Sequence, residues 1–436
     1  MGKKLSFLLL SLLLVLSVVG CKPKPPVETG PIKIGATIVT VGPFAAVGVP
    51  YGEFYKAYVE YINANPDKYP YLNGRKIEAF IYDCEGDGAK GKTFIEKLIN
   101  DDEVDVLVGI LGTWNVVAAK EILETSKVPC VYFGTGSSAQ MFEPAEGDQR
   151  YMMGVQPLYK TEGRLMYLRA VTSFDNVKKI GVIHSDADDG NSLKAGIEKQ
   201  LSLDSRPDKP EVVFVQIPSS STKADITSHV NQIAGCDVII AAANQAPFQA
   251  IYKATQENAA TRGKPIITTY VNVAPTNMPE ETTDPGNSEV YGAGWVIFGE
   301  APGSSAEADR RLADYADYCA IVDQATNIPE DQKAMYKGNA YAMSSYIAIR
   351  TFLVGMQRLN AKKLPFTPEN YLMVMESERV PVAISGGVNY KDGFRIGLDS
   401  LNFSKFQPKE GAPAKEGKFI EVDPMASIDE LFAKLK

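Results

Sequence analysis

A regular alternation of short apolar strands with helical segments is the feature that most constrains the fold of this chain. Apolar residues occupy every second position of residues 32–38, as in a strand, and aromatic residues recur at helical spacing over 51–62. The alternation runs to residue 133 and restarts as a second run over 161–270. Apolar strands that alternate with helices indicate parallel sheets covered on both faces, so the two runs predict two such sheets in an α/β fold.

The same pattern predicts where the individual elements lie. In the first run, strands are expected at residues 76–83, 104–110 and 128–133, and helices at 90–100 and 116–126. In the second run, strands are expected at residues 179–184, 212–216, 237–242 and 265–270. Beyond these runs, a strand-like stretch at 290–298 is followed by helical patterns at 307–324, 334–359 and 368–376. The rhythm of the two runs is therefore lost in the last third of the chain.

The composition is that of a folded protein with more than one domain. The 436 residues are 45% hydrophobic and 22% charged, which excludes wholesale disorder and leaves room for two or three domains. A formal net charge of −8 gives no general affinity for nucleic acid or anionic lipid. No nucleic-acid partner is therefore expected.

The amino terminus has the pattern of a leader. Two lysines at positions 3 and 4 precede a largely apolar run over residues 5–19, which is shorter than the roughly 20 residues of a membrane span. The run ends in VVGC at residues 18–21, which resembles a bacterial lipobox. Residues 1–20 are therefore predicted to be a lipoprotein signal peptide, and Cys21 is the predicted site of lipidation. Two acyl chains on that residue would hold the chain stably at a membrane.

Residues 21–31 predict a tether between the membrane and the folded body. They are rich in proline, so they cannot form a helix and favour an extended conformation. The predicted location is the cell envelope, with the chain lipid-anchored to a membrane and facing the periplasm or the cell exterior.

The remaining cysteines do not predict a metal or redox site. Their spacing contains no CxxC pair. Outside the cytoplasm a disulfide is compatible with the sequence, and buried free thiols are equally compatible. These cysteines are Cys84, Cys130, Cys236 and Cys319.

A phosphate-binding pattern raises the alternative of a nucleotide hydrolase. Residues 86–93 (GDGAKGKT) match GxxxxGK[ST] and lie between a predicted strand and a predicted helix. The envelope location counts against this function, as does the position of the loop after the second strand. In addition, neither the strand at 104–110 nor that at 237–242 ends in the aspartate that would hold magnesium. A solvated turn that opens a helix is the simpler interpretation.

A Gly/Ser/Thr loop follows the last predicted strand of the first run. Gly134, Thr135, Gly136 and Ser137 would offer amides and hydroxyls at the carboxyl end of that strand. Such groups suit a carboxylate or another small anion. Thr113 offers the same chemistry one strand away, and an ordinary helix N-cap explains that residue equally well.

Support for catalysis is sparse. His184 and His229 are the only histidines, and neither belongs to a GxSxG, HExxH or Cys–His arrangement. Asp186, Asp188 and Asp189 cluster after a predicted strand. They are explained either as helix N-terminal acids or as a carboxylate that faces a ligand ammonium.

The order of these segments resembles a known family. The resemblance is carried by IGA at residues 34–36, IYD at 81–83, LVG at 107–109, VPCV at 128–131 and KIGVI at 179–183. From residue 31 to about residue 400, the chain is similar to type I solute-binding lipoproteins of ABC importers. Within that family it resembles the branched-chain amino-acid (Leu/Ile/Val) and amide-binding group.

This resemblance implies two doubly wound, Rossmann-like lobes that are joined by a three-segment hinge and close on a ligand. The implied N-terminal lobe is residues 32–155 with 296–388, and the implied C-terminal lobe is residues 156–295 with 389–436. The crossings between the lobes are expected near residues 154–158, 292–298 and 387–390.

The resemblance also implies a ligand shell. In the first lobe, the residues that would contact the ligand or clamp its anionic end are Thr113, Trp114, Gly134, Thr135, Gly136 and Ser137. In the second lobe, Asp189 and Asn244 stand where the family commonly has tyrosines, and the ammonium-binding acid of the family falls on Thr269 or Tyr270. Either Asp188 or Asp189 supplies the missing negative charge, or the ligand lacks a free ammonium. In the second case the groups that would stack on the ligand or hydrogen-bond to it are Trp114, Asn244, Gln245 and Tyr270.

The resulting prediction is a non-enzymatic, extracytoplasmic substrate-binding lipoprotein that uses no cofactor and no metal. It would capture a small polar solute, an amino acid or a related amide or carboxylate, and deliver it to ABC permease subunits. A ligand-sensing receptor component of a signalling system shares the fold and is the alternative.

Overall fold

The computed structural model describes residues 29–138, 144–296 and 306–435. The predicted signal peptide, Cys21 and most of the predicted tether lie outside the described residues, as do residues 297–298 of the predicted second crossing. None of the described helices combines the length and the hydropathy that are needed to cross a membrane.

The first lobe is built on a five-stranded parallel sheet with strand order β2-β1-β3-β4-β5. Its elements are β1 (Ile32–Ile38), α1 (Ala45–Ala64), β2 (Ile77–Asp83), α2 (Gly88–Asn100), β3 (Val106–Leu111), α3 (Thr113–Ala118), α4 (Lys120–Thr125), β4 (Cys130–Gly134) and β5 (Met152–Met153). This order is that of a doubly wound sheet. All six residues of β3 are buried, as expected for a strand that is covered on both faces.

The second lobe begins with the same alternation. Its consecutive elements are α5 (Tyr159–Thr172), β6 (Lys179–Ser185), α6 (Asp188–Leu203), β7 (Glu211–Ile217), α7 (Lys223–Val230), β8 (Val238–Ala242), α8 (Ala246–Glu257), β9 (Ile266–Thr268) and β10 (Val290–Gly294). Strands β6 to β10 pair in parallel. Each of the two runs of strand–helix alternation in the sequence thus forms the sheet of one lobe.

The last part of the chain contributes helices to the first lobe and strands to the sheet of the second lobe. Its elements are α9 (Ala306–Gln324), α10 (Lys333–Lys337), α11 (Ala340–Lys362), α12 (Pro368–Glu376), β11 (Val380–Pro381), β12 (Gly387–Val388), β13 (Ser400–Gln407), β14 (Lys418–Ser427) and α13 (Ile428–Ala433). Helix α11 packs on α1 and on β3 and β4 of the first lobe. The prediction of a single helix at residues 334–359 is wrong, because α10 ends at Lys337 and a separate helix, α11, begins at Ala340. The side chain of Asn339 caps α11 by accepting hydrogen bonds from the amides of Tyr341 and Ala342.

The second sheet also has an antiparallel edge, which the sequence analysis did not predict. The sheet has the order β14-β13-β10-β9-β8-β6-β7, and β13 and β14 are antiparallel. No strand was predicted after residue 298. Strand β14 has no buried residue and shows no continuous apolar run, and the buried residues of β13 include the polar Asn402 and Ser404, which interrupt its apolar pattern. Edge strands of this kind are held by pairing with a neighbour, which local sequence patterns reveal poorly.

Hydrogen bonds connect two of the segments that run between the lobes. The Tyr390 hydroxyl donates to the Gly154 carbonyl at 2.9 Å, and the Leu398 amide donates to the Val155 carbonyl at 3.0 Å. The segment that follows β5 is therefore tied to the segment that follows β12. The four cysteines of the described part of the chain are free thiols, three of them buried.

Candidate ligand-binding site

A cavity of about 500 Å³ lies between the two lobes. The first lobe contributes residues that follow the carboxyl ends of β1, β3 and β4, and the second lobe contributes residues that follow β6, β8 and β9. The first turn of α11 forms another part of the wall. Ligands of doubly wound sheets bind at the carboxyl ends of the strands, and this volume is typical of a small-molecule site. The cavity is therefore the candidate ligand-binding site.

Aromatic side chains form much of the cavity wall. Among the described residues, the aromatic lining is Phe44, Tyr51, Trp114, Tyr132, Tyr159, Tyr270 and Tyr341. The rings of Phe44 and Trp114 pack with centroids 4.3 Å apart. Gly112 has a φ of +96°, and a Cβ there would lie 2.4 Å from the indole of Trp114. Glycine at this position lets the indole lie close over the end of β3.

Thr113 lines the cavity from the start of α3. It is the first helical residue, and Gly112 occupies the N-cap, so the interpretation of Thr113 as an N-cap is wrong. Its hydroxyl oxygen lies 2.6 Å from the hydroxyl oxygen of Thr135. The side chain thus presents one neutral hydroxyl group at the first-lobe wall.

The loop after β4 is turned largely away from the cavity. Gly134 lines the cavity, whereas Thr135 and Ser137 are 2% and 1% exposed and do not line it. The Ser137 amide donates to the Thr135 hydroxyl oxygen at 3.0 Å, and the Tyr159 amide donates to the Gly136 carbonyl at 2.9 Å. The structure therefore uses these groups, which the sequence assigned to an anionic ligand, to hold the loop.

Three predicted residues of the second lobe meet at the opposite wall. Asp189, Asn244 and Tyr270 all line the cavity. Asp189 lies in the first turn of α6 and is half-buried, so it is both a helix N-terminal acid and a lining residue. The side-chain oxygen of Asn244 accepts from the Thr269 hydroxyl at 2.6 Å.

Tyr270 reaches from the second lobe to the crossing that follows β5. Its hydroxyl donates to the Pro157 carbonyl and accepts from the Gln156 side-chain amide, both at 2.9 Å. Its ring stacks on Tyr159 with centroids 5.9 Å apart. A Cβ on Gly136 would lie 2.4 Å from the Tyr270 hydroxyl, so the two lobes are in close contact here.

The sequence interpretation missed several lining residues. Tyr51 belongs to the aromatic pattern of α1, which marks a buried helix face and not a ligand contact. Tyr341 comes from the capped start of α11, far along the chain from both sheets. Gln156 lies in the crossing and bonds to the Tyr132 hydroxyl as well as to Tyr270. Only the three-dimensional arrangement brings these side chains to one cavity.

A fully buried acid lies behind the second-lobe wall. Glu162 of α5 is 0% exposed, and one of its carboxylate oxygens accepts from the Tyr270 amide, while the other has no partner among the described residues. Burial raises the pKa of Glu162 well above its usual range, and the nearby charge of Asp189 adds to this effect.

We expect the stability of the protein to fall with rising pH because of Glu162. The native chain holds this proton to a higher pH than the unfolded chain does, so unfolding releases a proton between the usual glutamate pKa and the raised one. Each such proton lowers the free energy of unfolding by about 1.4 kcal/mol per pH unit within that window. Glu162→Gln is expected to flatten this part of the stability curve, as measured by urea unfolding from pH 4 to pH 9. The exposed Glu60 provides the control Glu60→Gln, and equal pH dependence in both variants would contradict the assignment.

The phosphate-binding pattern at residues 86–93 forms a capped helix start. The Asp87 carboxylate accepts from the Ala89 and Lys90 amides at 2.7 and 3.0 Å, which occupies amides that a phosphate would need. The Lys92 ammonium lies 3.9 Å from Glu96 on the helix surface. This geometry favours the interpretation as a solvated turn.

Comparisons with known proteins agree with this architecture. The profile of a family described as periplasmic binding protein matches residues 31–391. The chain belongs to the periplasmic binding protein family. This confirms the sequence resemblance to type I solute-binding proteins and the prediction of a two-lobe α/β fold. The curated proteins contain no match to the chain.

Solved structures share the fold over almost the whole chain. One is a branched-chain amino acid ABC transporter protein from Thermus thermophilus with bound valine (TM-score 0.70, 13% identity, 94% of this chain and 99% of that chain covered). A second is a fatty acid ABC transporter substrate-binding protein from Thermomonospora curvata (TM-score 0.65, 17% identity, 95% and 97% covered). A third is a solute-binding protein from R. palustris in complex with 4-hydroxybenzoate (TM-score 0.66, 16% identity, 92% and 97% covered). At these identities the likeness concerns the fold alone.

Proposed function

We propose that this periplasmic binding protein is the extracytoplasmic substrate-binding component of an ABC transporter and that it captures a small solute between its lobes. The observation that carries the proposal is the cavity itself, whose walls come from the carboxyl ends of both sheets and are bridged by Tyr270. A solute that contacts both walls would favour the closed arrangement of the lobes. The closed protein would then deliver the solute to permease subunits.

The proposed ligand contacts are the predicted residues that line the cavity. They are Thr113, Trp114, Gly134, Asp189, Asn244 and Tyr270. Thr135, Gly136 and Ser137 would support the wall from behind, because their polar groups bond within the protein. Aromatic and aliphatic side chains provide most of the cavity wall. The proposed role of the site is to bind a solute without catalysis.

The solute-binding function is tested with the full chain in detergent. Small molecules that are released on denaturation are identified by mass spectrometry, added back and titrated by calorimetry, and small-angle X-ray scattering measures the radius of gyration. A solute that binds and compacts the protein supports the proposal. Absence of any solute with this effect from the extract and from a metabolite library would refute it. Steady phosphate release from ATP and magnesium that Lys92→Ala abolishes would instead establish the hydrolase alternative.

Tryptophan fluorescence would provide a second readout of closure. Trp114 lines the cavity, whereas Trp295 is buried between Tyr132 and Tyr270, with ring centroids 6.4 and 6.5 Å away. These are the only two tryptophans of the chain. Single Trp→Phe variants therefore separate direct ligand contact at Trp114 from rearrangement near the crossings at Trp295.

The anchored form of the protein is part of the proposal. We expect Cys21→Ala to move the protein from the membrane fraction to the soluble fraction, because the lipid chains on Cys21 would provide most of the membrane affinity. The measurement is fractionation of cells that express the full chain, with the mass of the mature protein as a check. Cys319→Ala is the matched control and is expected to stay with the membrane. Retention of the Cys21 variant in the membrane would argue against the lipid anchor.

A further inference from the structure

The charged side chains among the described residues of the cavity wall are all negative. Among the described residues that line it, Asp188 and Asp189 are acidic, and none is lysine, arginine or histidine. Asp189 is half-buried, and its hydrogen bonds come from neutral donors, which are the Ser185 hydroxyl at 3.3 Å and backbone amides that include those of Gly190 and Asn244. A partly desolvated carboxylate in such a wall interacts favourably with an incoming positive charge.

Aromatic rings line the same cavity as Asp189. The charge of Asp189 is close enough to Tyr159 to add to the rise in the pKa of that phenol, which burial causes in the first place. Tyr159 in turn stacks on Tyr270. A cation within about 6 Å of a ring face is attracted by the electrons of the ring, and this attraction is largest in a desolvated site. A positive group beside Asp189 would therefore gain from the rings as well as from the carboxylate.

The first-lobe wall is poorly suited to a carboxylate. The Ser137 amide and the Thr135 hydroxyl bond to each other behind the wall, so Thr113 is the hydroxyl that remains at the surface of this part. The Trp114 indole nitrogen and the Tyr51 hydroxyl oxygen have almost no accessible surface, and a Cβ on Gly109 would lie 2.2 Å from that hydroxyl, so neither donor is presented to the cavity. A single hydroxyl can donate to a carbonyl, ether or hydroxyl oxygen of a ligand, whereas an ionised carboxylate needs several donors or a cation to offset the cost of its desolvation.

We propose that the solute is an organic cation, an amine or quaternary ammonium compound with an apolar body and a neutral oxygen at its other end. This inference rests on the proposed solute-binding function and narrows its ligand class. The ammonium pairs with Asp189 near the ring of Tyr159, and the neutral oxygen accepts from the hydroxyl of Thr113. A free carboxylate on the ligand finds no cation in the described lining.

The proposal is tested with four probes that differ at one end only. Tyramine is a cation, tyrosol is its neutral alcohol analogue, 4-hydroxyphenylacetate is its anionic analogue, and tyrosine carries both charges. We expect tyramine to bind the full chain, ligand-free and in detergent, at least about tenfold more tightly than each of the other three in calorimetric titrations. Any other order of affinities, including absence of tyramine binding, would overturn the organic-cation proposal.

A pair of variants assigns the preference to one carboxylate. Asp189→Asn is expected to reduce the affinity for tyramine by about tenfold to a hundredfold and to leave that for tyrosol within about twofold. Asp208→Asn removes the same charge from an exposed position of the second lobe and is expected to change neither affinity. Equal losses for tyramine and tyrosol would contradict the role of Asp189. The order of the four affinities is measured on the wild-type chain, so that result does not depend on whether a variant folds.

The two proposals can fail separately. If tyramine does not bind but a solute without a positive charge compacts the protein in the scattering experiment, the solute-binding function stands and the organic-cation class is wrong. If no solute from the extract or the library binds, the solute-binding function itself is wrong.

Discussion

Gly163→Val is expected to lower the melting temperature of the protein by roughly 10 °C. Gly163 lies in α5 where this helix meets α6, and a Cβ at this position would be 2.1 Å from the Leu193 carbonyl oxygen. Gly196 of α6 makes the reciprocal contact, with its Cβ position 2.1 Å from the Lys160 carbonyl oxygen. The two helices therefore touch backbone to backbone, and no flexible side chain can move aside to make room.

The cost of this substitution is that of forcing the two helices apart. Overpacking a core commonly costs about 1–3 kcal/mol, and we expect about 3–5 kcal/mol here because the clash is with backbone. For a lobe of this size, each 1 kcal/mol corresponds to about 2–4 °C. The contact also fixes the distance between Tyr159 at the start of α5 and Asp189 at the start of α6, so the variant should bind its solute more weakly as well.

Gly338→Val is the matched control for Gly163→Val. Gly338 is exposed, and the only atom within 4 Å of its Cβ position is the Met335 carbonyl oxygen at 3.8 Å. Its melting temperature, followed by circular dichroism, is expected to stay within about 2 °C of the wild type. An unchanged melting temperature for Gly163→Val would show that the helices separate without cost, which the packing argument excludes.

Gly136→Ala is expected to lower the affinity for the solute by roughly 5-fold to 150-fold. A Cβ on Gly136 would lie 2.4 Å from the Tyr270 hydroxyl, 2.8 Å from the Pro157 carbonyl oxygen and 2.9 Å from the ring of Tyr159. The protein can relieve these contacts by withdrawing Tyr270, which moves the second lobe away from the first. The penalty of about 1–3 kcal/mol would then oppose closure more than folding.

The measurement is titration with the solute that is recovered from the wild-type protein, together with the scattering profile of each variant. Gly154→Ala is the control, because Gly154 lies in the crossing after β5 that Tyr270 contacts and its Cβ position is 4.0 Å from the nearest atom, on the ring of Phe133. Wild-type affinity in Gly136→Ala would mean that the contact between Gly136 and Tyr270 plays no part in ligand binding. A large fall in the melting temperature would mean that the substitution lowers the free energy of unfolding instead of opposing closure of the lobes.

Much of the fold could be predicted from the sequence, because the strands of a doubly wound sheet are buried on both faces. Continuous apolar runs such as that of β3 therefore mark the strands, and the helix at Pro368–Glu376 was predicted with both of its ends. The antiparallel strands β13 and β14 were missed because neither shows a continuous apolar run and because β13 joins the sheet through β10, which lies more than one hundred residues earlier in the chain. Local patterns carry little information about such pairing.

The candidate site was predictable where it depends on strand ends. Thr113, Asp189 and Tyr270 follow strands whose carboxyl ends face the cavity, and alternation alone shows which loops these are. The direction in which each side chain points was not predictable. Ser137 carries suitable groups but bonds within its own loop, and Tyr51 is part of a buried helix face that happens to reach the cavity.

The sequence by itself determined the alternating α/β pattern, the family to which the chain belongs and the set of loops that meet between the lobes. It could do so because burial on both faces of a sheet imposes continuous apolar runs on the strands, and such runs can be recognised in a single sequence. Only the tertiary structure decided that the loop predicted to bind a carboxylate is closed by its own hydrogen bonds and that Asp189 lines the same cavity as several aromatic rings, with no lysine, arginine or histidine in the described lining. These properties depend on contacts between residues far apart in the chain, so no local pattern encodes them.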